Sequence, residues 1–108
     1  DIKIELKSKS ASNPLCLQGD IVNLSAIGAF IFGCEKFKLG DEVFLRFKLS
    51  PTSEELILDA KVVWLADKQV QPHFYPGIGI EFVNIPPDVQ EKIFEFVERN
   101  ASLLSNDD

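Results

Sequence analysis

The sequence predicts a mainly β fold: a six-stranded antiparallel β-barrel with one C-terminal α-helix. Three observations predict it. Apolar residues recur at every second position in Ile2, Ile4 and Leu6, in Val43, Leu45, Phe47 and Leu49, in Leu56 through Val62 to Trp64, and in Ile78, Ile80 and Phe82. That period is the signature of strands with one face in a core. Clusters of Ser, Pro, Asn, Asp and Gly separate the runs and supply turn chemistry. Helical spacing enters only after Pro86-Pro87, where Val89, Ile93, Phe96 and Val97 fall on one face.

Each element has its own reasons. In the first strand Lys3, Glu5, Lys7 and Lys9 alternate with the apolar set and form a mostly basic outward row. A turn cluster over residues 8–14 leads to a second strand at about 15–24 and a third at 28–32. Ile21 and Val22, then Phe30, Ile31 and Phe32, are apolar on both faces, so these strands call for cover by a helix, a neighbouring domain or a twin subunit. Residues 36–41 read as a polar connection ending in Gly40-Asp41. The fourth strand follows, then a turn over 50–54. The fifth strand carries the longest alternation, with Asp59 and Lys61 outward and Trp64 on the inner side.

Residues 66–76 read as a long loop holding the single histidine, His73. In the sixth strand Gly77 and Gly79 leave bare backbone on the face opposite Ile78, Ile80 and Phe82. Bare backbone suits close approach by a helix, a strand or a flat ligand. Pro86, Pro87, Asp88 and Glu91 are helix-start signals, and the helix runs to about residue 100. It is expected to close one side or mouth of the barrel. Barrel closure also removes exposed strand edges. A single domain over 1–104 and a solvated tail over 105–108 complete the expected organisation.

The totals bound the function. The 108 residues suffice for a core without staples, and the chain is 45% hydrophobic with nine Phe. A net charge of -6 argues against a nucleic-acid polymer as partner, since such binders neutralise phosphates with basic side chains. Cys16 and Cys34 lack metal-type spacing and read as reduced core thiols. No apolar run has the roughly 20 residues needed to span a bilayer, and no secretory leader pattern appears. A cytoplasmic domain, without membrane contact, is the expectation.

No phosphate-binding Gly-Lys loop, no His-Glu-x-x-His, no Cys-x-x-Cys and no Gly-x-Ser-x-Gly occurs. With one His and two distant Cys, neither a nucleophile–base pair nor a histidine metal site is readily assembled. The expected reading is a binding module, not an enzyme, with no cofactor.

One stretch stands apart. From Gly19 to Phe32 two apolar strands flank Asn23-Leu24-Ser25-Ala26-Ile27-Gly28. Asn23 and Ser25 carry compact side chains able to bond nearby backbone or a ligand held against it. Gly28 sits where a side chain would either block a positive φ or hold a partner at a distance.

This Asn-x-Ser-x-x-Gly corner is followed by Leu39-Gly40-Asp41, by a strand ending Val62-Val63-Trp64, and by Gly77-Ile78-Gly79-Ile80-Glu81-Phe82-Val83 before an acidic-start helix. In that order the chain resembles the PilZ domain, a bacterial module best known for binding cyclic di-GMP, over about residues 2 to 100. The resemblance implies ligand contacts from Asn23, Ser25 and Gly28. It also implies an Arg-x-x-x-Arg segment just ahead of the first strand, which this sequence does not contain. Lys7 and Lys9 are candidate phosphate contacts in its place, as point charges without the planar guanidinium fork that grips guanine. The implied function is a cyclic di-GMP-responsive regulatory domain in motility, biofilm formation or secretion, coupled to a neighbouring domain or protein partner. The alternative is a nucleotide-independent PilZ-like adaptor that docks a partner, a homodimer included, through its two-faced strands or the helix face at Phe94.

Overall fold

A computed structural model describes residues 2–12, 14–66 and 76–105, the last five by backbone only. Six strands precede one helix: β1 (Ile2–Ser8), β2 (Cys16–Leu24), β3 (Gly28–Phe32), β4 (Glu42–Lys48), β5 (Glu55–Ala66), β6 (Gly77–Val83) and α1 (Pro87–Ser105). All pairings are antiparallel, and the barrel closes in the order β1-β2-β3-β6-β5-β4. The expected fold class is therefore observed. The helix runs five residues beyond the predicted end, to Ser105. The expectations for His73 and for residues 106–108 fall outside the described residues.

The alternating residues fill the barrel. Ile4 and Leu6, Val43, Leu45 and Phe47, Leu56, Leu58, Ala60 and Val62, and Ile78, Ile80 and Phe82 form one buried cluster. Among the described residues it contains no buried polar or charged side chain, so the interior needs no internal hydrogen-bonding partners.

Both barrel ends are closed, by different devices. In the ring order β3 and β4 lie on opposite walls, so the connection between them must cross an end of the barrel. Left-handed backbone at Gly33, Cys34 and Gly40 steers that crossing. It carries Phe37 into the core, 1% exposed and among the largest fully buried side chains. The expectation of a polar connection over 36–41 is corrected at this one residue. Periodicity has nothing to say about one aromatic residue between Lys36 and Lys38. The opposite end is covered by α1, whose Ile93 is fully buried with Val89 and Val97 packed beside it. Phe94, on the outer side, is 52% exposed.

Two β-bulges change which side chains face outward. In β2 the pairing with β3 shifts between Ile21 and Asn23, and in β5 the pairing with β6 shifts between Val62 and Trp64. A bulge inserts one residue and reverses the facing of all that follow. Trp64, expected on the inner side, is consequently turned outward and 42% exposed. The uninterrupted apolar run Val63-Trp64-Leu65-Ala66 is the sequence trace of that break.

The cysteines also divide. Cys34 is buried as expected, but Cys16 is exposed at the start of β2, and both are free thiols. Burial, with the carboxylates of Glu35 and Asp20 adding to it, pushes the Cys34 thiol up to about 11. A thiol reagent at pH 8 is therefore expected to modify Cys16 promptly and Cys34 only on unfolding, because the thiolate is the reactive form. Two equally fast thiols in the folded protein would contradict this arrangement. The same shift has a consequence for stability. The folded state keeps a proton that the unfolded chain loses above its ordinary pKa of 9.0, so stability declines between pH 9 and about pH 11.

Candidate functional site

The corner between β2 and β3 lies at the barrel end covered by α1. Its backbone is held by Ser25. The Ser25 amide donates to the Gly28 carbonyl at 2.9 Å. Its Oγ accepts from the amides of Ile27 at 3.3 Å and Gly28 at 3.2 Å, and can donate to the Gly28 carbonyl at 3.3 Å. A hydroxyl is the smallest side chain that both accepts and donates, which is what closing this turn on itself requires. Ser25 is thus engaged in the corner's own structure.

Asn23 differs. The β2 bulge places it opposite the outward-facing Phe30. It is exposed, and its carboxamide makes no hydrogen bond among the described residues. Its two donors and one acceptor are available to something outside the barrel.

Gly28 is explained by space. It does not have a positive φ. A Cβ built there would collide with the Ile80 carbonyl of β6, so the partner that glycine admits is a neighbouring strand of the same chain. The two glycines of β6 are likewise filled from within. A Cβ on Gly77 would meet the Ile31 carbonyl and the Phe30 ring, and one on Gly79 would come within 3.1 Å of the Trp64 Cβ.

Register then lines up one row across four strands: Asn23 opposite Phe30, Phe30 opposite Gly79, and Gly79 opposite Trp64. The rings of Phe30 and Trp64 meet across the bare backbone of Gly79, with centroids 5.4 Å apart and planes inclined at 51°. These residues, with Ser25 and Glu81, line an open depression of about 310 Å³. That is near the lower limit for a small-molecule site. The sequence marked Gly79 only as bare backbone open to a helix, a strand or a flat ligand, and singled out neither Trp64 nor Phe30 as a ligand-site residue. Only the bulges bring them beside Asn23.

The lysines do not join them. β1 and β2 are antiparallel, with Ile2 opposite Ile21 and Lys7 opposite Cys16. Lys7 and Lys9 therefore lie at the far end of the hairpin from Asn23, on the order of 20 Å away at about 3.3 Å per residue. Lys9 is moreover occupied. Its Nζ is 3.0 Å from an Asp59 carboxylate oxygen and 4.8 Å from the Phe44 ring centroid. Lys3, at the near end, is paired with Asp20 at 2.6 Å. Among the described residues, the depression is lined by one carboxylate, Glu81, and by no cation.

A larger cleft of about 500 Å³ opens between the start of β1 and the end of β4, lined by Ile2, Lys3, Arg46, Lys48 and Glu55 among others. It contains no residue of the Asn23–Gly28 corner. No grouping of three or more His, Cys, Asp or Glu suited to a metal ion occurs among the described residues. None of the described helices is long and apolar enough to cross a membrane.

Comparison with known families matches the PilZ domain model to residues 1–99. No curated protein matches the chain.

Proposed function

The chain belongs to the PilZ domain family, whose members are cyclic di-GMP-binding regulatory modules, and on that premise we propose that it is the ligand-binding part of a cyclic di-GMP effector. The observation that carries this reading is the outward row Asn23–Phe30–Gly79–Trp64 above the Ser25-locked corner. A guanine base needs a flat apolar surface and a side chain with both donors and acceptors. Trp64 and Phe30 offer the first, and base–aromatic stacking contributes about 1–3 kcal/mol. Asn23 offers the second. Ser25 and Gly28 act by shaping the corner that presents them.

A depression of this size takes one base and leaves the phosphates of a dinucleotide above the barrel wall. Their two negative charges find no cation in the lining, and Glu81 opposes them. The cationic half of the grip belongs to a basic segment leading into β1. Ile2 is paired with Ile21, close to Asn23, so a chain entering β1 arrives beside the corner. Such a clamp would order the entering segment and pass the signal to a neighbouring domain or partner in the bacterial cytoplasm, with motility, biofilm formation or secretion as the output.

Calorimetry tests this. The 108 residues alone are expected to bind cyclic di-GMP weakly or undetectably. A version with Arg-x-x-x-Arg placed ahead of Ile2 is expected to bind at least about thirtyfold tighter, since two bidentate guanine contacts at about 1–3 kcal/mol each are restored. Asn23→Ala in that version should cost about tenfold. Micromolar binding by the chain alone would overturn the missing-cation account. No binding by the arginine-bearing version would overturn the nucleotide reading. That last result would favour the nucleotide-independent adaptor, for which the cation-free lining is the supporting observation.

A further inference from the structure

Helix α1 does more than cover the barrel end. Gln90, in its first turn, extends its side-chain amide to the β2–β3 corner, where Nε2 donates to the Ala26 carbonyl at 3.1 Å. The residues are 64 positions apart, and this is the one side-chain hydrogen bond among those described that joins α1 to the sheet.

Its effect follows from the two peptide planes at the tip of the corner. In the first, the Ile27 N–H is held by Ser25 Oγ and the Ala26 carbonyl by Gln90. In the second, the Gly28 N–H is held by the same Oγ and the Ile27 carbonyl by the Phe82 amide at 2.9 Å. Each plane is fixed at both ends, once through β6 and once through α1. Removing Gln90 frees one end of the first plane and leaves the second untouched.

We infer that Gln90 is a positioning residue that locks the Ala26–Ile27 peptide and thereby couples helix α1 to the ligand corner. The ligand side of this inference rests on the reading of that corner given above. Coupling is reciprocal: whatever prefers the locked corner also favours the docked first turn of α1, and a partner that pulls on α1 loosens the corner. The exposed side of that helix, at Phe94, is where such a pull would act.

Donor chemistry supplies the test. Gln90→Glu is nearly isosteric but presents a carboxylate, which cannot donate to a carbonyl, whereas Gln90→Lys keeps a donor. Amide exchange measured by NMR in the ligand-free protein is expected to accelerate about three- to tenfold at Ile27 in Gln90→Glu. Gln90→Lys should return it toward wild type, with unchanged circular dichroism in all three. Unchanged exchange at Ile27 would overturn the inference. So would acceleration spread evenly over the barrel amides, since that signals only a less stable fold.

A cyclic di-GMP titration of the wild-type chain, followed by amide shifts up to millimolar ligand, adds a second readout. Shifts at the corner accompanied by a shift of the Gln90 side-chain amide support the coupling. Corner shifts that leave that amide unmoved overturn it. If no corner amide shifts, as undetectable binding by these 108 residues allows, the arginine-bearing version decides the nucleotide reading, and the exchange data alone decide whether Gln90 locks the corner.

Discussion

Gly28→Ala is expected to destabilise the domain by about 3 kcal/mol, a large part of the 5–15 kcal/mol by which such domains are stable. Glycine-to-alanine changes normally help a folded chain by about 0.4–1 kcal/mol, because they restrict the unfolded state. Here the added methyl meets the Ile80 carbonyl, a backbone atom that can retreat only by opening the β3–β6 pairing. Overpacking outweighs the entropic gain. The urea midpoint should fall by about 1–3 M at a slope of about 1–3 kcal/mol/M.

Gly40→Ala provides the contrast. Gly40 has φ +88° with nothing within 4 Å of a built Cβ, so its cost is left-handed strain alone, about 1 kcal/mol. Equal losses at the two positions would show that Gly28 is needed for its dihedral angles and not for the approach of β6. That distinction bears on the corner's chemistry, because the glycine then serves the barrel wall that carries Phe30 and Gly79.

The second large effect is expected at Phe37. Truncation to alanine removes a fully buried aromatic ring from the crossing between β3 and β4. Buried Phe→Ala changes cost about 3–5 kcal/mol from lost transfer energy and the cavity left behind. Phe94→Ala, on the exposed side of α1, should stay within about 0.5 kcal/mol. Thermal or urea unfolding of the two variants side by side checks the assignment. If Phe37→Ala is as mild as Phe94→Ala, the crossing does not plug that barrel end.

The failures of sequence-based expectation share a cause. Alternation assigns a face to each strand residue only while the count is unbroken, and at Val22 and Val63 it is broken by one residue. The bulges therefore hid the outward position of Trp64. Phe37 was hidden because a single apolar residue among lysines has no period. Lys7 and Lys9 were plausible phosphate contacts while only their charge was visible, and hairpin register separates them from Asn23. Gln90 carries no local pattern that marks it out, because its hydrogen bond to Ala26 spans 64 residues.

By itself, then, the sequence determined the barrel, its six strands, the closing helix and the Asn-x-Ser-x-x-Gly corner, because period and turn chemistry are local properties carried by consecutive residues. Tertiary structure alone decided which side chains share the outer wall with Asn23, what occupies the space left by the glycines, and which element holds the corner from behind. Those depend on strand register and on contacts between distant segments, where a shift of one residue reverses a face and no local pattern records it.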